Sequence, residues 1–93
     1  MNIERKKLAL ILALDHVRNM EIKTIGELSK IDIINGDIEG AFEHKKNLKS
    51  IATVLEIRLG YVWKGDESKY PGTIREDASI VENDFLRRLE KTA

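Results

Sequence analysis

Side chains that commonly carry out catalysis are sparse in this sequence of 93 residues. The two histidines, His16 and His44, stand far apart, and neither belongs to a His-x-x-x-His pair or to a carboxylate cluster that would hold a metal ion. The chain has no cysteine, which excludes a disulfide framework and a thiolate metal site. It also has no Gly-rich phosphate loop and no Ser-x-x-Lys motif. Because a base, a nucleophile and an orienting group cannot be assembled, we expect no enzymatic activity, no metal and no cofactor.

Lysines and arginines offer a different chemistry, the neutralisation of phosphates. Lys45, Lys46 and Lys49 lie close together in the chain. Three further basic residues are flanking candidates for phosphate contacts: Arg18, Lys23 and Lys30. The alternative role of these side chains, solubility, explains them equally well and stays open. The basic run at residues 5–7 fits the solvated end of a helix better than a phosphate clamp.

The charge balance does not by itself indicate a nucleic-acid partner. The formal net charge is zero, whereas nucleic-acid-binding domains often have a basic balance. Residues 1–65 contain 11 Lys or Arg against 9 Asp or Glu, a difference of +2, and residues 66–93 contain 5 against 7, a difference of −2. The positive excess therefore lies in the first part of the chain.

The stretch from Leu48 to Asp66 must form the hydrophobic centre that positions these groups. Its apolar residues recur with the i, i+3, i+4, i+7 spacing of one buried helix face, at Leu48, Ile51, Ala52, Val54, Leu55 and Ile57. Trp63 then predicts an aromatic anchor that packs a short helical turn against the core. Gly65 predicts the stop of that turn, because glycine adopts a positive φ after a helix end.

The segments before this stretch predict three further helices. A helix is expected over residues 3–19, followed by a connection at 20–23. Thr24 and Glu27 form a capping-box pattern that predicts a short helix over residues 25–31. A second short helix is expected over residues 35–43, with Asn35 as its cap, and residues 44–47 would separate it from the next helix.

The end of the chain changes character after Asp66. The polar residues 67–78, with a Tyr-Pro-Gly turn signal, predict a linker. A C-terminal helix is expected over residues 79–91, because apolar residues return at helical spacing. So short a helix is marginal alone, and we expect it to join two subunits. Its dimerisation residues would be Ile80, Val81, Phe85, Leu86 and Leu89.

The order of these elements resembles the lambda-repressor-like helix-turn-helix domain of phage and bacterial regulators. Ile51-Ala52, Val54-Leu55 and the stretch Tyr61-Val62-Trp63-Lys64-Gly65-Asp66 look like the terminal helices of that family. Leu28-Ser29 and Glu43 fall where the family has residues of its two motif helices. The resemblance implies an all-α fold. It would comprise a compact domain of four to five helices over residues 1–66, a linker over 67–78 and a C-terminal helix over 79–93.

The function that this resemblance implies is DNA-binding transcriptional regulation, as a phage- or plasmid-like repressor that binds a palindromic operator as a homodimer. The helix over residues 35–43 would enter the major groove. Asn35 would read a base, although a plain helix cap explains it as well. The residues expected to bind DNA are Asn35, Lys45, Lys46, Lys49, Lys30 and Lys23. Asp37 and Glu39 favour the alternative, an antirepressor or adaptor of the same fold that binds another regulatory protein.

The longest apolar run, Leu8 to Leu14, is far shorter than the ~20 residues that span a bilayer. The basic residues before it are typical of a signal peptide, but Glu4 and the lack of a small-residue cleavage site argue against one. We therefore expect a cytoplasmic protein without a membrane partner.

Overall fold

A computed structural model of the chain describes the backbone of residues 3–28 and 38–92, and the side chains of residues 4–23 and 43–91. The described residues form three α-helices: α1 (Ile3–Leu28), α2 (Ile38–Arg58) and α3 (Gly72–Thr92). Two short 3-10 turns, Val62–Lys64 and Glu67–Lys69, join α2 to α3. No strand occurs within these ranges, which confirms the all-α class.

The core lies where all three helices meet. The predicted apolar face of α2 is confirmed for Leu48, Ile51, Ala52, Val54 and Leu55, which are buried. The remaining members of the buried cluster come from α1 and α3: Leu10, Ala13, Leu14, Val17, Ile74 and Ala78. The alanines among them allow the helices to approach closely, and burial of each larger aliphatic side chain stabilises the fold by about 1.5–3 kcal/mol.

Two helix boundaries predicted in the first half of the chain are wrong. α1 continues to Leu28, so residues 20–23 are helical and Thr24 does not begin a new helix. α2 runs without a break from Ile38 to Arg58, so residues 44–47 do not separate two helices. Neither stretch contains a proline, and the helix propensities of its residues differ by only tenths of a kcal/mol, so nothing local ends the helix. The predicted tight link at 32–34 lies outside the described residues.

The predicted burial of Trp63 is also wrong, because its side chain is 74% exposed. Leu59 and Tyr70 pack against the core near the end of α2 instead. Trp63 lies in the first 3-10 turn and stacks on Tyr61, which is half-buried. The predicted stop at Gly65 is confirmed, since this glycine follows the turn with a φ of 99°.

The predicted linker is shorter than expected, because α3 begins at Gly72, directly after Pro71. Proline before a helix removes an amide that the first turn would leave unsatisfied. Ile74 and Ala78 extend the apolar stripe of α3 by two turns, and both are buried against α1 and α2. The polar residues around them masked this stripe in the sequence.

The five predicted dimerisation residues have different environments within one chain. Leu86 is buried, and Val81 and Phe85 pack against the core of their own chain. Leu89 is half-buried, whereas Ile80 is 62% exposed. The C-terminal helix therefore docks in cis through most of its apolar side chains. Homodimer formation stays a prediction.

Candidate functional site

The predicted DNA-binding residues that the structure describes are distributed over two helices. Lys45, Lys46 and Lys49 lie on α2, and Lys23 lies on α1 as an exposed side chain. Three residues of the DNA-binding hypothesis lie outside the described residues: Lys30, Asn35 and Asp37. The structure therefore brings together the α2 lysines, and these define the candidate site.

The three lysines of α2 lie on one side of that helix. Lys45 and Lys49 are four residues apart and Lys46 and Lys49 three apart, the spacings that place side chains on adjacent turns of one face. Lys46 and Lys49 are exposed and Lys45 is half-exposed. In the part of the chain that the structure describes, no ion pair involves any of the three. Their charges are thus available to an external anion.

Glu56 lies further along the same side of α2 and forms ion pairs with two more basic residues. It follows Lys49 by seven residues, which returns the helix to the same face. The carboxylate is buried, and its Oε2 atom lies 3.3 Å from Nη2 of Arg18 and 3.6 Å from Nζ of Lys64. Two cations on one carboxylate leave one positive charge uncompensated. We call the five basic residues of this side the cationic track: Arg18, Lys45, Lys46, Lys49 and Lys64.

An aromatic pair follows the track at the end of α2. The backbone amide of Tyr61 donates to the main-chain carbonyl of Glu56 at 3.0 Å, so the pair begins directly after the end of α2. The rings of Tyr61 and Trp63 stack with centroids 4.9 Å apart and planes inclined by 21°. The sequence pointed to Trp63 as a core residue, and only the exposed 3-10 turn identifies it as a surface group.

A second charged cluster, centred on Arg58, has the opposite balance of charge. Its guanidinium donates to both carboxylate oxygens of Glu67, at 3.0 and 3.1 Å, and to Glu82 and the Ser79 hydroxyl, each at 3.0 Å. Two carboxylates therefore surround one cation. The hydrogen bonds with Glu67 raise the pKa of Arg58 and lower the pKa of Glu67. This cluster joins α2 to the second 3-10 turn and to α3, and sequence reasoning missed it.

The lowered pKa of Glu67 predicts an acid-dependent loss of stability. A carboxyl whose pKa is lower in the folded than in the unfolded state stabilises the fold above its unfolded pKa, near 4.5. That stabilisation disappears as the pH falls through the folded pKa. We expect the urea midpoint to fall as the pH is lowered from 6 to 3, and Glu67→Gln to reduce this slope. An unchanged slope in the variant would show that other carboxyls account for it.

The other titratable groups that the structure describes were compared with the requirements of a metal site. Within the described ranges, no group of three or more His, Asp or Glu side chains is placed to hold a metal ion. His16 instead packs edge-on against Phe85, with ring centroids 5.6 Å apart. No described helix has a segment long and apolar enough to cross a membrane. No family model, curated protein or solved structure matches the chain.

Proposed function

We propose that this chain is a small DNA-binding regulator whose cationic track contacts the phosphates of duplex DNA. The observation that carries the proposal is the arrangement of the five cations of the track. The only ion pairs that they make within the described residues go to Glu56, which leaves a local positive excess despite the zero net charge. Lys45, Lys46 and Lys49 project from a helix whose opposite side is buried in the core, so packing fixes their backbone positions. Cations that project from a packed helix suit phosphate contacts.

The finer form of the proposal is a helix-turn-helix regulator that acts as a repressor. The end of α1 and the start of α2 would be its two motif helices, with α2 directed toward the major groove. Asn35 would then lie before the groove-facing helix, where an amide reads adenine. A repressor of this kind would bind a palindromic operator as a homodimer, through a surface other than the docked face of α3.

Loss of the α2 lysines is expected to weaken DNA binding, and the loss of affinity should grow with the number of phosphate contacts removed. The triple variant Lys45→Ala, Lys46→Ala, Lys49→Ala should bind duplex DNA at least tenfold more weakly at low salt. Each lost contact should reduce the slope of log K against log salt by about 0.9, because fewer counterions are released. Fluorescence anisotropy of a labelled duplex at several salt concentrations measures both quantities.

A matched control removes the same number of cations elsewhere. Arg87, Arg88 and Lys91 are exposed on α3, and none of them belongs to the track. Their replacement by alanine should leave affinity and salt slope nearly unchanged. Equal losses of affinity in the two triple variants would show that only the total charge matters, and would contradict a specific role of the track. If the wild-type protein binds no duplex at low salt, the proposal is overturned.

A second candidate function, binding of another regulatory protein, is favoured by the outer side of α1. Leu8, Ile11 and Ile22 are exposed there, at spacings that share one helix face opposite the buried residues of α1. Exposed apolar side chains that share one helix face are candidates for a protein contact. A photo-cross-linking residue at position 11 would test this candidate. The protein that it captures should bind the purified wild-type chain and fail to bind a variant with Leu8→Ser and Ile11→Ser.

A further inference from the structure

We propose that Tyr61 and Trp63, which we call the aromatic platform, stack an unpaired nucleobase at the end of the cationic track. The inference rests on the proposed function, since the same track would hold the phosphates that lead up to that base. It adds a ligand class, nucleic acid with exposed bases, to the duplex contact proposed above. Stacking on an aromatic ring is available to every base, so the site would tolerate different sequences.

The geometry of the aromatic platform leaves one ring face open. Tyr61 covers one face of the Trp63 indole in a near-parallel stack, and the indole is nevertheless 74% exposed. The neighbouring Val62 is 82% exposed. Covering these exposed apolar groups with a flat apolar ligand removes them from water, which makes binding more favourable. A planar base fits the open face of a stack that already has parallel planes.

A basic residue adjoins the platform in the chain. Lys64 directly follows Trp63, and its Nζ atom is held by Glu56 beside the guanidinium of Arg18. From Glu56 the track continues along α2 to Lys45, eleven residues away. At 1.5 Å per residue this is about 16 Å. A stacked strand rises by about 3.4 Å per nucleotide, so the track and platform together would accommodate roughly five nucleotides.

A lipid surface is the other ligand that an exposed tryptophan beside a lysine suggests. The next residues along the chain oppose it. Asp66 is exposed, and its hydrogen bond from the Ser68 amide lowers its pKa, so it is ionised at neutral pH. Insertion of Val62 and Trp63 into a bilayer would bring this carboxylate toward the apolar phase, which is costly. Stacking of a base covers only the indole face and leaves Asp66 in water.

Because Trp63 is the single tryptophan of the chain, its fluorescence reports on the platform alone. The titrants are a thymidine octamer, an abasic octamer with the same number of phosphates, and a blunt duplex. We expect the thymidine octamer to quench Trp63 and to bind about tenfold more tightly than the abasic octamer, as one stacked base would contribute. In anisotropy with a labelled octamer, Trp63→Leu should lose this tenfold preference. Trp63→Phe should keep most of it, and Val62→Ala should leave it unchanged.

The outcomes separate this inference from the proposed function. Equal binding of the two octamers, with duplex binding still dependent on the α2 lysines, would overturn the stacking site alone. Base-dependent quenching without duplex binding would support the stacking site and overturn the duplex regulator. A blue shift of Trp63 emission with vesicles of phosphatidylcholine and phosphatidylglycerol, without a response to either octamer, would overturn the inference in favour of a lipid surface.

Discussion

Replacement of Arg58 by methionine is expected to lower the free energy of unfolding by about 2–3 kcal/mol. The side chain of Arg58 is 19% exposed and hydrogen-bonds Glu67 and Glu82, so its loss removes the ionic contacts of α2 with the second 3-10 turn and with α3. The larger part of the cost comes from Glu82, whose side chain is only 9% exposed. A buried carboxylate that loses its cation keeps the full penalty of its desolvation. Urea unfolding followed by circular dichroism measures the change.

Two companion variants assign the effect to the charge network. Arg58→Lys keeps the charge but loses the planar fork that binds both oxygens of Glu67, so an intermediate loss is expected. Addition of Glu82→Gln to Arg58→Met should restore about 1 kcal/mol, because a buried amide without an ionic partner costs less than a carboxylate. If Arg58→Met unfolds at the same urea concentration as wild type, the network does not hold α3 in place.

The sequence was most informative where burial follows a regular period. The apolar face of α2 was predicted correctly at five of its six residues, with Ile57 only half-buried, because spacings of three and four leave only one side for a core. The helix ends were harder to predict. The capping-box pattern at Thr24 and Glu27 is compatible with a helix start, but the same residues are tolerated inside a longer helix. Continuous hydrogen bonding through residues 20–28 therefore prevailed over a local signal.

The candidate site was predictable only in its local part. The spacing of Lys45, Lys46 and Lys49 places them on one side of a helix wherever that helix lies in the fold. The ion pairs of Glu56 could not be predicted in this way, because Arg18 comes from α1 and Lys64 from a 3-10 turn. No periodicity relates residues that meet only through tertiary packing. The exposure of Trp63 had no sequence signal for the same reason, since its environment depends on the direction in which the chain leaves α2.

The docking of α3 has a measurable consequence at Leu86. This side chain is 9% exposed within a single chain, so Leu86→Ala should lower the free energy of unfolding by about 2–3 kcal/mol through lost burial and a residual cavity. The matched control is Ile80→Ala on the same helix. Ile80 is 62% exposed, and its truncation should change stability by less than about 0.5 kcal/mol.

The dependence on protein concentration distinguishes docking in cis from a subunit contact. If Leu86 packs only against its own chain, a hundredfold dilution should affect the thermal midpoints of wild type and variant equally. If α3 joined two subunits through Leu86, dilution would lower the wild-type midpoint, because association stabilises the folded state by mass action. The Leu86→Ala variant would then lose that dependence. A wild-type midpoint that falls on dilution, together with a variant midpoint that does not, would contradict docking in cis and return α3 to the role of a dimer helix.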